Sequence, residues 1–340
     1  MMKRNRYFAL LAILVIFQQV TTATAALKVA FYNNTACQNV EKTVRAEVQK
    51  RFQSDPSIAA QLLRIYFHDC FADGQCDASL LIKKNKNPST LKPEILASTN
   101  LGIRGLDFID FLKQQVVAAC VGQANIVSCA DIIALAARDA VALTAPNRRP
   151  YAIATGRLDG KVSNAANAET LPGSRQRIPD IISRFAKAGF SAQETLILSG
   201  AHTIGQSRCK FFDDRLYNWR GTRAPDPTLN TTTLAFLRKT CTNSVASKES
   251  RVFLDQNTSS SFVSDKSYFS MLTQHKGVLE SDQKLLTDPS TKGFVKPLAD
   301  GTEANFMNKF ETAMKKLGNL GSTTVVGSKG DIRKVCSVLN

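Results

Sequence analysis

The sequence predicts a mainly α fold, and three observations carry that reading. Apolar residues recur at helical spacing in one segment after another. Serine, aspartate and proline stand where helix starts call for them. Alternating, strand-like runs are short and few, with residues 151–155 the best of them.

The elements follow in chain order. Lys3, Arg4 and Arg6 precede an apolar run over 7–20, and small residues close it at Ala23-Thr24-Ala25-Ala26. A basic start, a short apolar run and an A-x-A exit describe a secretory signal peptide over 1–26, cleaved after Ala25 or Ala26. The run is too short to span a bilayer, which takes about 20 apolar residues, and no membrane segment is expected later. A helix over 40–52 comes next. Behind Ser54-Asp55-Pro56, a capping residue with proline after it, runs SIAAQLLRIYFHDCF with Ile58, Leu62 and Ile65 on one face. Residues 106–119 read as helix. Ser128-Cys-Ala-Asp131 resembles a capping box and opens a helix over 132–143, and 178–188 form another. Ser191-Ala-Gln-Glu194 is a full capping box whose helix stops around Gly200. Helical patterns over 232–240, 267–274 and 304–317 complete the set. Long loops at 83–100, 156–176 and 249–265 hold polar clusters, and no repeat or low-complexity tract is present.

All eight cysteines, at 37, 70, 76, 120, 129, 209, 241 and 336, lie beyond the signal peptide. An even set in an exported chain reads as four disulfides, although spacing leaves the pairing open. No C-x2-C pair suggests zinc. The net charge of +16 at pH 7 favours anionic surroundings such as acidic cell-wall polysaccharide. Basic residues are scattered without interleaved aromatics, which disfavours nucleic acid. From residue 27 onward the chain suffices for one large or two medium domains of roughly 100–200 residues each.

Histidine occurs only at 68, 202 and 275. A lone histidine is ordinarily structural, but Arg64 and His68 stand at i and i+4 and project from one helical face beside Phe67. A fixed cation and an imidazole over one pocket suit a reaction that moves a proton while negative charge develops. The plain alternative pairs Arg64 with Asp69. Downstream, Asp69, Asp77 and Ser79 surround a tight loop, and Thr203, Asp255, Thr258 and Asp265 form a second group of hard oxygen donors of the kind calcium takes. Each alone reads equally as turn chemistry.

LLRIYFHDCF, GQCDASLL, SCADIIALAARDAV, LILSGAHTIGQSRC, LESDQKLL and GDIRKVC, in that order, resemble the secreted plant-type (class III) haem peroxidases over nearly the whole mature chain. The resemblance implies two helical domains with one haem b between them. Residues 27–170, completed by 311–340, would form the distal domain, and 171–310 the proximal one. It makes His68 the distal acid–base, Arg64 the distal cation, Phe67 the haem-facing aromatic and His202 the axial iron ligand. Asp282 would accept a hydrogen bond from His202. Two calcium ions are implied. Asp69, Asp77 and Ser79 with the carbonyls of Ala72 and Gly74 would hold the distal ion. Thr203, Asp255, Thr258 and Asp265, with a carbonyl near Val263, would hold the proximal one. Pro172 would line the donor entrance and Arg208 would meet a haem propionate. The implied disulfides are Cys37–Cys120, Cys70–Cys76, Cys129–Cys336 and Cys209–Cys241; His275 takes no part. The implied reaction reduces hydrogen peroxide to water and oxidises phenolic or similar small donors by one-electron steps, in a monomer. A haem-binding relative with weak turnover, or a non-catalytic cell-wall binding protein, are the alternatives. The chain stops four residues after Cys336, which favours apoplast or cell wall over vacuole.

Several positions depart from that pattern. Leu91-Lys92 stands where a glutamate joins the distal histidine to calcium. The asparagine that accepts from the distal histidine is out of register by one residue, at Asn100, with Thr99 and Glu94 as substitutes. A weaker partner would make His68 a poorer base. Gln75 is inserted in the distal calcium loop, Asp265 sits in a spread-out proximal loop, Leu158 replaces an arginine and Tyr151 a tryptophan. Sequons at Asn33, Asn230 and Asn257 are glycosylation candidates.

Overall fold

The computed structural model describes residues 27–86, 91–122, 125–257, 259–321 and 330–340. The signal peptide and Thr258 lie outside the described residues. Among those described, the helices run α1 (Val40–Ser54), α2 (Ile58–Ala72), α3 (Leu106–Ala119), α4 (Cys129–Thr144), α5 (Ala165–Ala168), α6 (Ile178–Lys187), α7 (Ala192–Ser199), α8 (Asp213–Tyr217), α9 (Thr231–Thr240), α10 (Ser267–Thr273), α11 (Glu280–Gln283), α12 (Lys292–Asp300) and α13 (Glu303–Gly318). Two small antiparallel ladders accompany them. β1 (Lys28–Val29) pairs with β2 (Ala154–Thr155), and β3 (Gln206–Arg208) with β4 (Arg251–Phe253). The architecture is mainly α, and no helix among the described residues is long and apolar enough to cross a membrane.

Local chemistry explains the starts. The Ser128 hydroxyl accepts the Asp131 N–H at 3.1 Å and opens α4. Ser191 and Glu194 exchange both capping-box bonds at the start of α7. The N-cap of α2 is Ser57, whose N–H and hydroxyl donate to the Asp55 carboxylate, so the helix begins two residues beyond Pro56. α12 contains Pro297 and was not expected from periodicity.

α2 and α1 pack on α4, whose inner face is apolar from Ile132 to Val141, while α13 lies on α7 and α12 on α10. Asp131, fully buried, accepts from Tyr32, Gly156 and Arg157, and Arg157 also donates to the Gly318 carbonyl at 2.6 Å. That set ties the start of α4 to the β1–β2 ladder and the end of α13. A second, smaller core gathers Phe212, Leu216, Leu237 and Val252 around one disulfide. The cysteines pair as Cys37–Cys120, Cys70–Cys76, Cys129–Cys336 and Cys209–Cys241, the set the resemblance implied.

Candidate active site

A cavity of about 570 Å³ opens between α2 on one side and the turn after α7 on the other. Arg64, Phe67 and His68 reach it from one face of α2, as their spacing requires. His202 reaches it from the 3-10 turn Gly200–Thr203 that continues α7. Phe67 stacks on Phe71 and Phe185, which holds it at the wall.

On the α2 side the hydrogen bonds fix the tautomer. Arg64 can only donate, and its Nε lies 3.3 Å from Nε2 of His68. Nε2 therefore carries a lone pair, and the proton sits on Nδ1, which donates to Oδ1 of Asn100 at 2.6 Å. Asn100 in turn donates from Nδ2 to the Glu94 carbonyl at 2.6 Å. The one-residue offset is thus absorbed: the 3-10 turns Glu94–Leu96 and Ser98–Asn100 carry Asn100 to the ring, and the expectation of a weaker partner is corrected. Thr99 serves instead through its carbonyl, which accepts from Arg64 at 3.1 Å. Burial, then the Arg64 charge, push the His68 pKa down to about 3, against the opposing Asn100 bond. Burial and the positive charges of Arg208, Arg104 and Arg251 lower Arg64 to about 10, so it remains a cation at neutral pH.

On the opposite side, Nδ1 of His202 lies 2.9 Å from Oδ1 of Asp282, which leaves its Nε2 lone pair for the cavity. Burial opposes protonation of His202, but the Asp282 carboxylate outweighs it and raises the pKa above its ordinary value. Tyr268, fully buried on α10, also donates to Asp282 Oδ1, at 3.0 Å.

At the mouth, Arg208 and Arg251 face each other as register partners across β3 and β4, and Arg104 reaches the same opening. Arg208 is held by Glu249 at 2.8 Å. Gly102 (φ +81°) packs against the Arg208 guanidinium so closely that a Cβ there would collide with it. Pro172 also lines the cavity. Arg104, Arg251 and Tyr268 carry no motif signal of their own, and only the fold reveals them.

Behind His68, Asp69 and Asp77 are buried, with Ser79 and Glu94 beside them. One Asp69 oxygen, the Ser79 hydroxyl and both Glu94 oxygens have no partner. Burial and then neighbouring carboxylates raise Asp69 well above the usual range and Glu94 to about 8. No three His, Cys, Asp or Glu side chains among the described residues form a metal cluster by themselves, so a cation here would need hydroxyl and carbonyl donors as well. The Ala72 carbonyl accepts from Arg184 at 2.6 Å and Thr170 at 3.0 Å, the guanidinium capping the C-terminus of α2. Gly74 lies in the left-handed region (φ +77°), and Gly321 packs against Gly74 and the inserted Gln75.

The second oxygen group gathers beside His202. The Thr203 hydroxyl lies 3.0 Å from Asp265 and 3.3 Å from the Val263 carbonyl. Asp255 is buried and accepts from Ser260, Ser267 and the Asn257 N–H. His275 is exposed on a turn away from the cavity.

Comparison with known proteins gives a consistent result. The sequence profile of the family described as Peroxidase matches residues 44–301. The chain is 40% identical to Peroxidase 39 of Arabidopsis thaliana over 334 residues, covering 98% of each chain. It is 39% identical to Peroxidase 57 of the same plant over the full length of both, and 40% identical to Peroxidase N1 of Nicotiana tabacum over 99% of this chain and 98% of that one.

Proposed function

The chain belongs to the peroxidase family, with plant class III relatives, and is a haem peroxidase; from that premise we propose that His68 and Arg64 activate hydrogen peroxide, with His202 as the iron ligand and phenolic compounds as donors. The observation that carries this reading is the pair of histidines across one cavity, each with its Nδ1 proton committed to a partner and its Nε2 lone pair left inward.

Those residues fit a haem: a ligand nitrogen backed by a carboxylate on one side, an open base on the other, and arginines where propionates would emerge. Haem, when bound, supplies the redox centre that accepts oxidising equivalents from peroxide and passes them on one electron at a time. His68 Nε2 takes the proton from the near peroxide oxygen and delivers it to the far one, which leaves as water. Arg64 stabilises the negative charge that develops as the O–O bond breaks. Two donor molecules each lose one electron and one proton, which together with peroxide yields two waters. Phe67 walls the cavity, Pro172 borders the donor entrance, and Arg208 with Arg104 and Arg251 meets the propionates. The distal domain (27–170 with 311–340) and the proximal one (171–310) would hold the haem between them.

Two calcium ions are part of the proposal. Asp69, Asp77 and Ser79 with the carbonyls of Ala72 and Gly74 would take the distal one, and the unpartnered buried oxygens support it. Thr203, Asp255, Thr258, Asp265 and the Val263 carbonyl would take the proximal one. The enzyme would be a secreted monomer of the apoplast or cell wall, its positive charge favouring acidic polysaccharide. Asn33, exposed, is the favoured glycosylation site; the Asn230 side chain already caps α9 through Thr232 and Thr233, and the Asn257 side chain accepts from Ser259 in a sequon whose Thr258 is assigned to calcium.

The test is the visible spectrum of the purified mature protein before and after one equivalent of hydrogen peroxide. A ferric haem band that changes rapidly with peroxide and returns on adding a phenol is expected. A folded protein that takes up no haem when supplied with it would overturn the proposal.

A further inference from the structure

Two donors converge on one oxygen beneath the cavity. Nδ1 of His202 lies 2.9 Å and the Tyr268 hydroxyl 3.0 Å from the same Asp282 Oδ1. Tyr268 is buried on α10, its ring edge-on to Phe269 at 5.1 Å and to His202 at 6.4 Å, so packing fixes its hydroxyl toward Asp282. Burial and the adjacent Asp282 charge both raise its pKa well above 10, which keeps the phenol protonated and donating.

A carboxylate that backs a metal-bound histidine raises the basicity of that ligand by drawing on its N–H proton. Charge on Oδ1 that is engaged by a second donor is less available to the first. We propose that Tyr268 is a positioning residue that limits the basicity of His202 by sharing Asp282 Oδ1. The inference rests on His202 being the iron ligand. It assigns Tyr268 a role in setting the electron affinity of the haem iron, separate from peroxide binding on the other side of the cavity. Without the phenol, Asp282 would pull harder on the His202 proton, and ferric iron would be favoured over ferrous.

The test compares wild-type holoenzyme with Tyr268→Phe, which keeps the ring that fills the core and removes only the donor. A more negative ferric/ferrous midpoint potential and a higher iron–imidazole stretching frequency are expected. Asp282→Asn should shift both quantities the other way, and Tyr268→Phe should add nothing in the Asp282→Asn background, because the two act through one oxygen. If Tyr268→Phe fails to retain haem, fluorotyrosine at 268, a stronger donor, should move the potential upward instead. An unchanged potential and frequency in Tyr268→Phe, a shift of opposite sign, or full additivity with Asp282→Asn would overturn the inference. Wild-type protein without an iron–histidine signal would instead remove the premise that His202 is the ligand.

Discussion

The amide oxygen of Asn100 lies 2.6 Å from Nδ1 of His68, and this contact leaves Nε2 unprotonated toward the cavity. Arg64 donates to that same Nε2, so in the proposed reaction a displaced peroxide proton would meet a lone pair already oriented by two neighbours. Asn100→Val would remove the acceptor and leave a buried N–H without a partner, at about 1–3 kcal/mol, which is about 5- to 150-fold in rate. Stopped-flow measurement of the peroxide reaction should show that loss, with phenol oxidation by the oxidised enzyme little changed. Thr99→Val should leave the rate near wild type, because Thr99 meets Arg64 through its main chain.

The acid limb of the peroxide reaction follows from the same site. As the proposed base, His68 would act only when neutral, and burial with the Arg64 charge holds its pKa near 3 rather than the usual 6.5. As pH falls, the second-order rate should therefore stay level through 6 and 5 and decline only as pH passes through about 3. An acid limb centred near 6.5 would contradict this. His68→Ala should lower the rate about 10²- to 10⁴-fold and flatten the profile.

Much of this was legible because local signals act over a few residues. The Ser128–Asp131 and Ser191–Glu194 caps, the Arg64/His68 spacing and the apolar face of α2 each need only one turn of helix to be read. Asn100 was harder: its partner is set by two consecutive 3-10 turns that shorten the path from Glu94, a geometry periodicity does not encode. Arg251 becomes visible only when three-residue strands bring it opposite Arg208, and such strands are too short to alternate. The engagement of the Ala72 carbonyl is likewise tertiary, since Arg184 arrives from α6.

The arginines at the mouth should govern cofactor retention more than turnover. Arg251 lies opposite Arg208, and burial followed by the Arg104 and Arg208 charges lowers its pKa, so an anion between them relieves repulsion. A charge-assisted bond to a carboxylate is worth about 1.5–3 kcal/mol. Arg208→Ala and Arg251→Gln should each speed haem transfer to excess apomyoglobin by about 10- to 100-fold, with a smaller effect on the peroxide rate of protein that still holds haem. Equal transfer rates in wild type and both variants would remove these residues from the propionate set.

Calcium should stabilise the fold through both oxygen groups. Asp69, Asp77 and Glu94 bring carboxylates together in a buried pocket with unpartnered oxygens, and Asp255 is buried beside Thr203 and Asp265. An ion that binds only the folded chain at a concentration of 100 Kd adds about 2.7 kcal/mol. At about 1.5–2 °C per kcal/mol for a chain of this size, chelation should lower the melting temperature by roughly 4–5 °C for each site emptied. Elemental analysis should find two calcium ions per native chain and one in either Asp69→Asn or Asp255→Asn. The Asp69→Asn protein should also react more slowly with peroxide, because the distal loop continues directly from His68. Chelation that removes no calcium and leaves the melting temperature unchanged would overturn both sites. Loss of a single ion with Asp255→Asn unaffected would leave the distal site alone.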